Sequence, residues 1–241
     1  TNGKTILMNS VIITGASSGI GEGLAYEFAK RGYSLGLTAR NFDKLVILKK
    51  NLNDLYPQII VEVAGLDVMR YDDVFRVIFE MNERLNNSVR VVIANAGIAG
   101  SQSAGIGRFE ENRKVIDTNL VGAIATIEAG VAIFRKRKKG IVVGISSVAG
   151  FRGFAGSATY CASKSGLSTY LEALRGEVRR HGIDVTAIHP GFIFTPMTGN
   201  KKSRPFEISV EKGAKLIANA IENRKKSATI PKFPWVAVGF L

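Results

Sequence analysis

In the stretch SATYCASKSGL (157–167), Tyr160 precedes Lys164 by four residues. Residues at i and i+4 share one face of a helix, so the ammonium nitrogen can lie within a few ångströms of the phenol oxygen. At an effective dielectric of about 20, a positive charge ~5 Å from a phenolate is worth roughly 3 kcal/mol, or about two pKa units. Such a shift brings a phenol from about 10 towards about 8, within reach of proton transfer near neutrality, while burial works in the opposite direction. The same spacing also fits an amphipathic helix with a buried tyrosine and a solvated lysine, so the rest of the chain must decide.

A second stretch with chemical content is TGASSGIG, Thr14 to Gly21, between the apolar run SVIIT (10–14) and a helical pattern. A glycine-rich turn there brings backbone N–H groups and a helix N-terminus against a phosphate. Gly15 permits the tight turn, Gly19 the close approach of a pyrophosphate, and Gly21 the packing of helix on strand. Ile20 lies within the same turn, and Ser17 or Ser18 can add a hydroxyl contact. The spacing is G-x-x-x-G-x-G and not the commoner G-x-G-x-x-G dinucleotide fingerprint. The next apolar run, SLGLTA (34–39), leads into Arg40, where NAD sites commonly carry an acid; the first acid is Asp43. An arginine grips a 2′-phosphate bidentately, so NADPH/NADP+ is expected over NADH/NAD+.

The elements that must position these groups follow from the apolar pattern. SVIIT, SLGLTA, IIVEVA (59–64), VRVVIAN (89–95), GIVVGIS (140–146), IDVTAIHP (183–190) and SATIP (227–231) read as strands. Helical segments lie between them: GEGLAYEFAKRG, the amphipathic NFDKLVILKKNLNDL, and a last helix over about 210–223. Strands alternating with helices predict βαβ units and a parallel sheet covered on both faces. No long polar linker, repeat or low-complexity tract interrupts them, so residues 8–241 are expected to form one α/β domain. Met8 reads as a protein start, which makes residues 1–7 an upstream or artificial extension.

The lone cysteine, Cys161, excludes an internal disulfide and suits a reducing, cytoplasmic setting. The N-terminus lacks the signal-peptide pattern, and no apolar run is read as reaching membrane-span length. No cluster has metal-ligand spacing. The net charge of +13 collects in RKRKK (135–139), RRH (179–181), KKSR (201–204) and RKK (224–226). These clusters fall near predicted helix ends or in loops, where the helix dipole favours cations. No nucleic-acid module accompanies them, so specific nucleic-acid binding is not expected. A solvated surface fits them, as does contact with an acidic protein or an anionic membrane surface.

With TGASSGIG near its start and YCASK in its later half, the chain resembles the short-chain dehydrogenase/reductase family. The further motifs of that family stand in order: Asp67 in LDV, Asn95-Ala96-Gly97 after the fourth strand, Asn119 in DTNLVG, the serines of GISSVAG, and the P-G turn of HPGFIFTPM. The resemblance runs from about residue 9 to residue 197. It implies a Rossmann-type doubly wound sheet of about seven strands, order 3-2-1-4-5-6-7, and a homodimer or homotetramer formed through the helices carrying Asn119 and Tyr160. It implies a catalytic set of Asn119, Ser147, Tyr160 and Lys164. Tyr160 would act as general acid in carbonyl reduction and base in alcohol oxidation. Ser147, thirteen residues before the tyrosine, would donate to the substrate oxygen, with Ser146 a structural strand-end residue. Lys164 would also bond the nicotinamide ribose, and Asn119 would hold a water linking Lys164 to solvent. Asp67, Asn95, Ala96, Gly97, Pro190, Gly191, Ile193 and Thr195 would complete the cofactor contacts, Thr195 at the carboxamide.

The reading is therefore an NADPH-dependent oxidoreductase acting on a small-molecule carbonyl or secondary alcohol. Alternatives are a 3-oxoacyl thioester reductase acting on carrier-protein or coenzyme A substrates, and a catalytically silent NADP(H)-binding sensor or scaffold. His189 is expected to be structural and Cys161 a small packing residue. Ala149, Phe151, Phe154, Phe192 and Met197 could line an apolar pocket or serve as packing. The loop over 198–205 lies where family members close a lid. The tail KFPWVAVGFL (232–241) could pack on the domain, line a substrate or subunit surface, or begin a longer helix.

Overall fold

The computed structural model describes residues 9–100, 105–195 and 205–238. Residues 1–7, Met197, the KKSR cluster, the lid segment apart from Pro205, and the last three tail residues lie outside that description.

Seven strands form one parallel sheet in the order β3-β2-β1-β4-β5-β6-β7. They are β1 (Ser10–Thr14), β2 (Ser34–Ala39), β3 (Val61–Gly65), β4 (Val89–Ala94), β5 (Gly140–Ile145), β6 (Ile183–Pro190) and β7 (Ser227–Ile230). The five inner strands are short and mostly apolar because both of their faces are covered, while the edge strands β3 and β7 are only partly buried. Alternation along β1 separates the two cores: Val11 and Ile13 pack with α1 (Gly19–Lys30), α2 (Phe42–Leu55) and α7 (Val210–Glu222). Ile12 points to the other face, with α3 (Tyr71–Arg84), α5 (Gly122–Arg137) and α6 (Ala158–Val178). This is the Rossmann-type doubly wound fold, and its strand order is the expected one.

The differences from the sequence reading are local. β3 starts at Val61 because Ile59 is drawn into a turn, its N–H donating to the Tyr56 carbonyl at 3.2 Å. α1 starts at Gly19, immediately after Ser18 in an extended N-cap conformation. The short α4 (Phe109–Ile116) runs through one π-turn over Asp117–Val121 directly into α5. The combined run Phe109–Arg137 contains a window of mean hydropathy 1.4, long and apolar enough to pass as a membrane span by composition, which corrects the sequence reading. Its apolar residues, Ile127, Val131 and Phe134 among them, are buried in the second core. The tail packs on the domain as far as it is described: α8 (Trp235–Val238) carries Trp235 onto the turn after β6, ring to ring with Phe192 at 4.6 Å.

Candidate active site

All seven strands point their C-terminal ends to one edge, and a cleft of about 340 Å³ opens there. Its first wall is the turn between β1 and α1. Gly15 adopts φ +69° and Gly19 φ +59°, backbone conformations that favour glycine. At Gly21 a β-carbon would lie 2.3 Å from the Gly15 carbonyl oxygen and 2.5 Å from Asn95 Nδ2, so the helix could not close onto the turn with any larger residue.

The turn is clamped from the neighbouring strand. Asn95 Nδ2 donates to the carbonyls of Thr14 (2.9 Å) and Gly15 (3.0 Å), and Thr14 Oγ1 accepts from the N–H groups of Asn95 and Ala96. The amide of Asn95 is thus engaged in shaping the turn, and the residue borders the cleft from that position. Sequence reasoning did not anticipate the part played by Thr14; the pairing of TG with NAG across adjacent strands was its only trace. Ser18 makes no side-chain cap bond to α1, so its hydroxyl is not engaged in capping there.

Ser17, Ser18, Gly19, Ile20, Arg40, Asp67, Ala96, Gly97, Pro190, Gly191, Ile193 and Thr195 all line the same cleft, so the fold brings the expected cofactor residues together. Gly21 stands behind them, buried at the base of the turn. Arg40 is exposed at the end of β2, and no carboxylate among the described residues forms an ion pair with it. Asp67 Oδ1 accepts from the Met69 N–H at 3.1 Å, which orders the loop after β3. Leu66, Val68 and Thr118 also border the cleft; nothing in their residue type signalled it.

The second wall carries Tyr160 and Lys164 on the first turns of α6. Lys164 is only 5% exposed; its Nζ donates to the Ile145 carbonyl at 2.8 Å and lies 5.8 Å from the centroid of the Tyr160 ring. Burial without an anionic partner pushes its ammonium group down to about 8. Burial likewise raises the Tyr160 phenol above its ordinary value, against a lowering by its hydrogen bond with the Ser147 side chain. Of the two opposing influences expected on Tyr160, burial is the larger here, and the Lys164 ammonium is directed at a backbone carbonyl.

Ser147 and Ser146 divide as their surroundings dictate. Ser147 Oγ faces Tyr160 and accepts from the Ala149 N–H at 3.1 Å, while Ser146 Oγ is buried between the Lys164 carbonyl and Ser168 Oγ, each at 2.8 Å. Asn119 sits in the π-turn, fully buried, its amide bonding both backbone groups of Ile98 at 2.7 and 2.9 Å. A β-carbon on Gly97 would lie 3.2 Å from Asn119 Oδ1 and 3.6 Å from Lys164 Nζ, which measures how closely the two side chains converge. The π-turn itself left no signal in the sequence, although single-turn π-bulges inside helices are common at functional sites.

His189 is buried behind Ser147, with its ring 4.7 Å from that of Phe151. Burial holds it below the ordinary imidazole value, against a hydrogen bond to the Ser147 backbone that raises it. Cys161 is buried and free. Of the expected apolar wall, Phe151 packs on His189 and Phe192 on Trp235, while Phe154 is largely exposed; neither these nor Ala149 borders the cleft. Among the described residues no cluster of His, Cys, Asp or Glu could hold a metal ion.

A family profile described as short chain dehydrogenase matches residues 9–205. An uncharacterized oxidoreductase of Mycobacterium tuberculosis is 38% identical over 231 residues, covering 95% of this chain and 91% of the relative. A 3-oxoacyl-[acyl-carrier-protein] reductase of Rickettsia typhi is 33% identical, covering 87% of this chain and 81% of the relative. The structure of a short-chain dehydrogenase from Sphingobium yanoikuyae in complex with NADPH superimposes with a TM-score of 0.86 at 28% identity, covering 96% of this chain and 92% of that one.

Proposed function

The chain belongs to the short-chain dehydrogenase/reductase family and is an oxidoreductase that uses a nicotinamide cofactor; from that premise we propose that it is an NADPH-dependent reductase of carbonyl compounds, working reversibly on secondary alcohols, with Tyr160 as the acid–base residue. The observation that carries the reading is the meeting of Tyr160, Ser147 and Lys164 on one wall of a cleft whose other wall is a glycine-lined phosphate turn.

The residues present fit the cofactor. The turn at Gly15 and Gly21 has no room for side chains on its inner side, Ser18 at the N-terminus of α1 can meet a phosphate, and the Arg40 guanidinium, with no ion pair among the described residues, stands where a 2′-phosphate would need a partner. Asp67 would meet the adenine end, and Gly191, Ile193 and Thr195 the nicotinamide end. When bound, the nicotinamide supplies the hydride to the carbonyl carbon or accepts it from the alcohol.

The chain's own residues handle the proton. In reduction the Tyr160 hydroxyl donates to the substrate oxygen as negative charge develops there, and the Ser147 hydroxyl donates a second hydrogen bond to the same oxygen. The raised pKa keeps Tyr160 protonated at neutral pH, which suits the reductive direction. Lys164 stabilises the phenolate left behind, and Asn119 fixes the backbone at Ile98 beside it. We further propose a homo-oligomer formed through the helices carrying Asn119 and Tyr160, and a reducing compartment such as the cytoplasm, in keeping with the single free cysteine.

The test is oxidation of NADPH followed by absorbance over a panel of ketones, aldehydes, diketones and 3-oxoacyl thioesters. Turnover of a carbonyl supports the proposal, and the preferred compound separates a general carbonyl reductase from the thioester reading that the Rickettsia relative makes natural. NADPH binding with no turnover across the panel would favour a sensor or scaffold.

A further inference from the structure

The basic clusters that the catalytic reading leaves unused are separated in sequence but not in space. RKRKK (135–139) leads into β5, RRH (179–181) into β6 and RKK (224–226) into β7, and these three strands are parallel neighbours in the sheet. All three therefore emerge at the sheet edge opposite the active-site cleft. The contact is close: a β-carbon on Gly182 would lie 2.2 Å from the Lys138 carbonyl oxygen. Except for Arg137 and His181, the residues of these clusters are exposed.

Among the cations stands a cavity of about 350 Å³, bordered by Arg90, Lys139, Gly182, Asp184, Glu222 and Arg224. Its two carboxylates are already engaged, Asp184 with Arg224 at 3.2 Å and Glu222 with Arg31. No carboxylate among the described residues pairs with Arg90 or Lys139, and Arg90 lies near a like charge, Arg137. The local field is strong enough to register on its neighbours. Partial desolvation, and then the charges of Arg135, Arg180 and Lys138, hold His181 below the ordinary imidazole value. Folding thus gathers repelling charges onto one face, where, among the described residues of the three clusters, only Arg224 has an ion-pair partner, Asp184.

We propose that this face docks the protein on an anionic phospholipid surface, the cavity beside Arg90 and Lys139 accepting a phosphate headgroup. Charge complementarity supplies the attraction. Two exposed apolar residues, Leu55 at the end of α2 and Ile60 ahead of β3, lie at the same edge and suit lipid better than nucleic acid. The face is built of the last turn of α5, the short helical turn over Arg179–His181 and the turns leading into β5, β6 and β7. Docked in this way, the protein holds its cleft away from the lipid and open to soluble substrate and cofactor.

The experiment is co-sedimentation of the purified protein with vesicles of phosphatidylcholine alone and of phosphatidylcholine mixed with phosphatidylserine, at low and high salt. Binding to the mixed vesicles only, weakening with salt, is expected. Each cation removed near the surface should weaken binding about fivefold, so the variant Lys136→Gln/Lys138→Gln/Lys139→Gln/Arg180→Gln should lose a hundredfold or more. The variant Lys225→Gln/Lys226→Gln should show a smaller loss. Circular dichroism and NADPH binding of both variants should match the parent. Failure of the parent to pellet with mixed vesicles, or undiminished binding by the fourfold variant, would overturn the proposal. So would tighter binding to a short DNA duplex than to the vesicles at the same salt.

Discussion

The two edges of the sheet handle charge in opposite ways. At the C-terminal edge the protein buries a cation: Lys164 is enclosed by α6 and the end of β5 with a backbone carbonyl as its hydrogen-bond acceptor. At the N-terminal edge it leaves many cations exposed and crowded. One topology accounts for both. In a parallel α/β sheet the helix N-termini face the edge where the strands end, and the helix C-termini face the edge where they begin. The first edge offers partial positive charge to phosphate, and the second offers partial negative charge that favours lysine and arginine. The cost of charge is therefore concentrated in one buried residue above and spread over a solvated surface below, and only the buried residue should tie stability to function.

The largest effect should come from that residue. Lys164→Met is expected to lower turnover by at least a thousandfold, since it removes the charge that stabilises the phenolate. The same substitution should stabilise the fold at neutral pH. The folded pKa of about 8 lies below the ordinary 10.5, so the stability contributed by neutral Lys164 is complete above 10.5 and is lost as pH falls through 8. A shift of that size corresponds to roughly 3 kcal/mol at pH 7, reduced by the lost hydrogen bond to Ile145 to about 2 kcal/mol. Urea denaturation should show the variant more stable than the parent at pH 7, with the advantage gone above about pH 10. An advantage that does not change with pH would break the comparison.

Arg40 sharpens it at the mouth of the cleft, where a cation is exposed as on the opposite face but has a ligand to meet. Arg40→Ala should raise the KM for NADPH about ten- to a hundredfold and leave that for NADH nearly unchanged. Equal loss for both cofactors would remove Arg40 from 2′-phosphate recognition. The smallest effect belongs to the basic face itself. Lys138→Gln/Arg180→Gln should leave kcat and KM unaltered and change stability by no more than about 0.5 kcal/mol. It should nonetheless let the His181 pKa rise, read by NMR titration of its ring protons, because two of the charges that lower it are gone.

The sheet was legible because each strand is a short apolar run closed by a glycine, proline or polar turn, and because both faces are buried. The phosphate turn was legible for a related reason: Gly15 and Gly21 are required by backbone conformation and by contact, and such requirements leave their mark in residue type. Three other features depend on distant partners and left little mark. The Thr14–Asn95 clamp joins residues on neighbouring strands. The sign of the Tyr160 shift depends first on how deeply the fold buries the phenol, against its bond with Ser147. The convergence of RKRKK, RRH and RKK follows from strand order alone, which composition cannot reveal.

The most direct test of the central claim compares Tyr160→Phe with the parent in two readings, NADPH binding by fluorescence titration and turnover of the best carbonyl substrate. The substitution removes one oxygen and leaves the ring on α6. Binding should stay within about threefold, while kcat should fall by 10²- to 10⁴-fold, the range of a lost general acid. Turnover that survives the substitution would contradict the assignment of the proton to Tyr160 and the account of the site built on it.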